Sequence, residues 1–146
     1  RVERALSAKR VSLGSLLKQA DVVTLHVPLT TLTRHMIGPK ELGLMKSSAY
    51  LINTARGPVV DEKALVRALR VGRLAGAGLD VFEREPRVER ALLSMPQVVL
   101  APHVGSATHE ARMEMVRLTC RNVLAVLKGR RPPHVVNPEV FKGEGR

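Results

Sequence analysis

The sequence predicts an α/β fold, a parallel sheet with flanking helices. Two observations carry that expectation. Short, β-branched apolar runs alternate along the chain with segments of helical period, and each run stops in a polar, Gly- or Pro-containing loop. The runs are also nearly continuous in apolar residues, the pattern of parallel strands covered on both faces.

Each element has its own local signal. Val2–Ala8 reads as a helix, and Arg1 falls inside it, as if the amino end were cut from something longer. Ser12 caps a helix over Leu13–Gln19, whose Leu13, Leu16 and Leu17 share a face. The first strand is Asp21–Val27, stopped by Pro28. Gly38-Pro39 opens a short helix to about Met45, with Pro at the favoured first-turn position. Ala49–Thr54 is the second strand. Asp61 caps a helix carrying Ala64, Leu65, Ala68 and Leu69 and ending at Gly72. Gly76–Phe82 and Gln97–Ala101 are the third and fourth strands. Thr108 starts the longest helix, to about Lys128, with Met115, Leu118, Val123, Val126 and Leu127 near helical spacing and Gly129 as its stop. Pro132-Pro133 forces an extended tail. No internal repeat or low-complexity linker intervenes, so residues 1–130 are expected to form one domain and 131–146 a tail.

Composition narrows the function classes. The chain has 146 residues, 45% of them hydrophobic, which suits a soluble domain with a real core. No apolar run approaches the ~18–20 residues of a membrane span. A lone Cys120 excludes an internal disulfide and fits a reducing, cytoplasmic setting. The net charge of +11 suggests an anionic partner, but the basic residues are scattered and aromatics make up only 2%, which argues against nucleic acid.

In a parallel sheet, ligands bind at the carboxyl ends of the strands. Four loops qualify: Pro28-Leu-Thr-Thr, Asn53-Thr-Ala-Arg56-Gly57, Asp80-Val-Phe-Glu83-Arg-Glu85-Pro86 and Pro102-His103-Val-Gly105-Ser106. Each polar residue in them also has a plain reading. Arg56 suits a surface turn, Glu85 is a solvated carboxylate like Glu83, and His103 is a satisfied histidine at a strand end. Together they describe more. Histidine is the side chain suited to proton transfer near neutral pH, a carboxylate beside it fixes its tautomer, and a guanidinium holds a substrate carboxylate in a two-pronged fork. An Arg, a Glu and a His on one sheet edge describe a site that reduces a 2-oxo acid.

Three blocks sharpen this: Asn53-Thr-Ala-Arg56-Gly57-Pro-Val-Val-Asp61, Gly78-Leu-Asp80-Val-Phe-Glu83-Arg-Glu85-Pro86 and Pro102-His103-Val-Gly105-Ser-Ala-Thr108. In wording, order and spacing they resemble the signatures of the D-isomer-specific 2-hydroxyacid dehydrogenases, and most of all the glyoxylate/hydroxypyruvate reductases. The similarity runs from about Val2 to Val140. It implies a partial Rossmann-type (doubly wound) parallel sheet with flanking helices, a nicotinamide cofactor (NAD or NADP) and a small-molecule 2-oxo or 2-hydroxy acid substrate, in a full-length parent that pairs as a homodimer. By position, Arg56 would bind the substrate carboxylate and carbonyl, and His103 would be the general acid. Glu85 would hydrogen-bond His103, with Glu83 as the rival two residues away. Asp80 would hold the cofactor carboxamide, and Pro28, Thr33, Thr54, Ala55, Arg56, His103 and Gly105 match positions near the cofactor.

One departure stands against this match. The family's Gly-rich phosphate loop, and the residue beyond it that reads the ribose 2′ position, are not in this sequence. Gly76-Ala-Gly78 precedes a strand and does not complete the motif. The chain is therefore expected to be the carboxyl-terminal half of a dehydrogenase, its 131–146 tail returning toward a substrate domain outside it. Transcriptional corepressors on the same scaffold keep the blocks, bind dinucleotide and recruit partners, so a non-catalytic binding role is the alternative.

The other polar residues read plainly. His26 is expected in the core or on the cofactor wall. His35, His109 and His134 lack metal-site spacing, so no metal is expected. Met113 and Met115 are expected to pack, Cys120 to be a buried inert thiol, and Lys128, Arg130 and Arg131 to lie solvated beyond the last helix.

Overall fold

The computed structural model describes residues 2–141, which fall into two compact units divided between Val104 and Gly105. The first holds α1 (Val2–Ala5), α2 (Leu13–Gln19), β1 (Val22–Leu25), α3 (Pro39–Leu44), β2 (Tyr50–Asn53), α4 (Glu62–Arg70), β3 (Gly76–Leu79) and β4 (Val98–Leu100), with 3-10 turns at Gly57–Val59 and Arg90–Ser94. The second holds α5 (His109–Leu127) and a 3-10 turn at Pro138–Phe141.

The first unit is the expected α/β architecture. Its sheet runs β1-β2-β3-β4 with every pair parallel, in the register Val23↔Leu51↔Ala77 and Leu25↔Asn53↔Leu79. The apolar residues at those positions meet Leu17 of α2, Leu42 of α3, and Leu65 and Leu69 of α4 in one buried cluster. Caps set the helix starts. Ser15 N–H donates to Ser12 Oγ at 3.3 Å, and Ala64 N–H to Asp61 Oδ1 at 2.8 Å. At α3, Gly38 N–H donates to Glu41 Oε2 with Pro39 in the first turn.

The structure corrects several expectations. The first helix stops at Ala5, because Ser7 takes a left-handed conformation (φ 51°); Arg1 lies outside the described residues. The strands are not all covered on both faces: β1 alternates exposed and buried, with Val22 57% accessible, whereas β3 is buried at the adjacent Gly76 and Ala77. Apolar character told correctly of a parallel strand, but a face is buried only when an element packs on it, and α2, α3 and α4 supply the buried side. His26 lies just past β1 and is exposed, its Nε2 3.0 Å from Thr24 Oγ1, so it is not a core residue.

In the second unit, Ala111 N–H donates to Thr108 Oγ1 at 3.1 Å, and α5 ends where Gly129 (φ 63°) lets Arg130 N–H reach Ala125 O at 2.8 Å. No residue of α5 is buried. Met113, Met115 and Cys120 are exposed, against the packing and burial expected of them. The Arg131 guanidinium lies 5.5 Å from the Phe141 ring centroid, within cation–π range. The end of the expected tail, 142–146, lies outside the described residues. Among the described residues no helix is long and apolar enough to cross a membrane.

Candidate active site

The loops that follow β1, β2, β3 and β4 leave the sheet at its carboxyl edge, and backbone interactions shape each of them. After β1, Thr33 Oγ1 donates to Pro28 O at 2.6 Å and accepts from Thr30 N–H at 2.8 Å, which closes the turn. Thr33 thus has a visible structural task in a loop whose Pro28 lines a cleft. After β2, buried Asn53 wraps the next three residues: its Oδ1 accepts from Ala55 N–H and its Nδ2 donates to Arg56 O, both at 3.1 Å. That local turn presents Thr54 and Arg56 as exposed side chains. An open cleft of ≈ 600 Å³ is lined by His26, Pro28, Thr54, Ala55 and Arg56, with Val27 and Leu29 completing it.

The loop after β3 carries the carboxylates. Glu85 uses both oxygens: Oε1 accepts from Phe82 N–H at 3.0 Å, and Oε2 lies 2.9 Å from His103 Nδ1. The hydrogen bond with His103, and after it the one from Phe82, hold the Glu85 carboxyl below its ordinary value; the Arg56 charge acts in the same direction. An ionised carboxylate only accepts, so Nδ1 of His103 carries the proton. Nε2 has no partner among the described residues. Glu85 and His103 also line a hollow of ≈ 220 Å³ with Phe82, Pro86, Val88 and Pro102.

His103 itself is held in the left-handed region at φ 56°, uncommon for a residue with a side chain and enriched at functional sites. Two contacts from the β3 loop hold it there. Glu85 takes the ring, and Asp80 Oδ1 accepts from the next amide, Val104 N–H, at 2.8 Å. The structure thus brings Glu85, His103 and Asp80 together, with Arg56 close enough for its charge to act on Glu85. Gly105 belongs to the second unit.

Glu83 sits elsewhere. Its Oε1 is 3.1 Å from His35 Nε2, and its Oε2 accepts from Glu62 N–H at 3.2 Å. Glu62 Oε1 in turn accepts from Glu83 N–H, so the two residues exchange hydrogen bonds between the start of α4 and the β3 loop. Burial, more than any other influence, pushes the Glu62 carboxyl above its ordinary value. The sequence signal for this exchange was faint, since only Glu62's place at the first turn of α4 hinted at it. Gly57 was the other residue passed over. A Cβ there would lie 1.9 Å from the Phe82 carbonyl group, so the absence of a side chain lets the Arg56 loop touch the backbone that feeds Glu85. Gly76 and Gly78 serve packing inside β3: a Cβ on Gly76 would strike Gln97 O at 2.4 Å, and one on Gly78 would meet Ile52 at 3.0 Å.

A wholly parallel sheet with helices packed on it, and polar loops gathered at its carboxyl edge, places the chain among the Rossmann-type α/β domains. Residues 1–105 match the D-isomer specific 2-hydroxyacid dehydrogenase, NAD binding domain. The chain belongs to that family. It is 55% identical over 139 residues to a glyoxylate reductase of Thermococcus litoralis, covering 95% of this chain and 42% of the relative. A glyoxylate reductase of Thermofilum pendens is 56% identical over 131 residues, 89% of this chain and 39% of its own length. Among solved structures, a glyoxylate reductase from Paecilomyes thermophila superposes with a TM-score of 0.82 at 48% identity, covering 90% of this chain and 40% of that one. An NADPH-dependent glyoxylate/hydroxypyruvate reductase from Sinorhizobium meliloti, in complex with NADP and malonate, gives 0.76 at 44% identity over 78% and 36%. This chain therefore spans about two fifths of the length of the relatives it matches.

Proposed function

We propose that this chain supplies the general-acid and substrate-orienting groups of an NAD(P)H-dependent reductase that converts a 2-oxo acid, of the glyoxylate or hydroxypyruvate kind, to a D-2-hydroxy acid. The observation that carries the reading is the Glu85–His103 pair at 2.9 Å beside the Arg56 loop. The residues present suit the nicotinamide end of a dinucleotide. The ≈ 600 Å³ cleft is lined by Pro28, Thr54 and Ala55 at the carboxyl edge, and the Asp80 carboxylate is an acceptor for a carboxamide N–H. Thr33 would keep the Pro28 side of that cleft in shape, and Gly105 is carried over from the family pattern alone. Held there, a nicotinamide would supply the hydride that reduces the substrate carbonyl carbon.

The chain's own residues do the rest. Arg56 holds the substrate carboxylate with parallel N–H bonds, and its charge steadies the oxygen as it becomes negative. His103 gives an Nε2 proton to that oxygen, while Glu85 keeps Nδ1–H in place and the ring oriented. A homodimeric, cytoplasmic enzyme acting on a small molecule completes the proposal.

The test measures NADH and NADPH oxidation with glyoxylate and hydroxypyruvate. It uses the chain alone and the chain exchanged for the matched 139 residues of the Thermococcus litoralis reductase. Turnover is expected in the exchanged protein, falling by ~10²–10⁴-fold in His103→Ala. Arg56→Lys should raise KM and lower kcat/KM, because an ammonium cannot form the fork. Dinucleotide binding without turnover would instead favour the corepressor-like role.

A further inference from the structure

Glu85 faces His103 while its Oε1 accepts from the Phe82 amide (3.0 Å), and that amide belongs to a short loop beyond β3. Three hydrogen-bonding contacts that hold the loop there converge on the next residue. Glu83 Oε2 takes Glu62 N–H from α4 (3.2 Å), Glu83 N–H is taken by the buried Glu62 carboxylate, and Glu83 Oε1 faces His35 Nε2 (3.1 Å). His35 is fixed in turn. It sits at φ 51° and donates its backbone N–H to Pro58 O at 2.8 Å, in the Gly57–Val59 turn that follows Arg56. The Glu83 side chain therefore ties the loop after β3 to the loop after β1 and to the start of α4, and the His35 backbone carries the connection on to the loop after β2.

We propose that Glu83, anchored by His35 and Glu62, is the positioning residue that sets the β3 loop so that Glu85 engages His103. It touches none of the reacting groups and acts through Phe82 and Glu85. The proposal deepens the reading above by naming what keeps the Glu85–His103 pair assembled.

The charged groups around these carboxylates fix the sign of the test. Glu85 faces His103 and feels Arg56. Glu83 faces His35 and Glu62, and Glu62 also feels Glu89 and Arg84. Removing the negative charge of Glu83 would by itself make Glu85 easier to ionise, lowering its titration midpoint. Losing the alignment with His103 and Phe82 would do the opposite. The two explanations thus move one observable in opposite directions.

The experiment follows the Glu85 side-chain carboxyl carbon by NMR titration in residues 1–146, for the wild type, Glu83→Ala, Glu83→Asp and Glu83→Gln. Positioning predicts that Ala, and Asp with its shorter reach, raise the Glu85 midpoint by roughly half a pH unit or more. Gln keeps an oxygen for Glu62 N–H and an amide for His35, and should leave the midpoint at or below the wild-type value. If Ala unfolds the unit, the Asp variant carries the same prediction with the charge retained. A midpoint unchanged or lowered in Ala or Asp, or raised equally in Gln, overturns the proposal. Turnover does not enter this test, so a chain without reductase activity would break the functional reading and leave the positioning role to be decided by titration.

Discussion

α4 and α5 begin alike and end differently. Each has an acceptor side chain at its N-cap, Asp61 and Thr108, with an acidic residue in the first turn. Yet six of the nine residues of α4 are buried, and none of the nineteen in α5 is. Capping and propensity decide that a helix exists, whereas burial is decided by what lies opposite. α4 has the sheet's inner face and α3 to pack on, through Leu65, Leu69 and Ala64 in the core cluster.

The sharpest way to break this comparison is to delete the same side chain from both helices. Leu65 is fully buried, so Leu65→Ala removes packed methyl groups and leaves a cavity in a close-packed cluster. The expected cost is about 2–5 kcal/mol. Leu127 is 77% accessible, and Leu127→Ala should stay within about 0.5 kcal/mol. Urea unfolding followed by circular dichroism measures both. Equal costs would mean that α5 buries its apolar residues in solution.

How much of this was legible follows the same division. Local signals were read well: Ser12, Asp61 and Thr108 cap their helices, Gly129 takes the positive φ that ends α5, and the four parallel strands lie within the four segments expected of them. Burial was read less well, because Val22, Met115 and Cys120 are apolar without being covered. In the candidate site the residue types pointed to the loops, but the division of labour between Glu83 and Glu85 depends on three-dimensional reach. Two carboxylates two residues apart face His35 and His103 respectively, a distinction no spacing rule encodes.

Two glycines extend the comparison at a smaller scale. Gly57 has ordinary backbone geometry and no room, since its added Cβ would overlap the Phe82 carbonyl group. Gly129 has open space and a left-handed backbone at φ 63°. Gly57→Ala must displace the Arg56 loop or the β3 loop, at a cost of roughly 1–3 kcal/mol. The Phe82–Glu85 hydrogen bond should loosen with it, seen as a changed Phe82 amide resonance. Gly129→Ala should cost about 1 kcal/mol through backbone conformation alone and leave that resonance in place. A Phe82 shift in the Gly129 variant, or none in the Gly57 variant, would contradict the close approach as the reason for Gly57.

The smallest expected effects concern two glutamates whose titrations are displaced in opposite directions. Glu85 is partly exposed and its folded-state value is lowered, by His103 first and the Phe82 amide second. Its contribution to stability is therefore fully present above the ordinary glutamate value and is lost as pH falls through the lowered one. Solvent screening keeps that contribution small. Glu62 is buried and its value is raised, chiefly by desolvation, so the folded state binds its proton more readily than the unfolded chain does. That cost is absent at low pH and grows as pH rises from the ordinary value through the raised one. Gln at position 62 keeps an oxygen for Glu83 N–H while removing the buried charge. Glu62→Gln should therefore gain stability relative to wild type near neutral pH, and Glu85→Gln should lose it. Both differences should shrink as pH drops below the glutamate range. Thermal unfolding of the two variants and the wild type from pH 3 to 8 tests the pair, and a stability loss in Glu62→Gln at neutral pH would show that the Glu62 carboxylate is worth more to the Glu83 exchange than its burial costs.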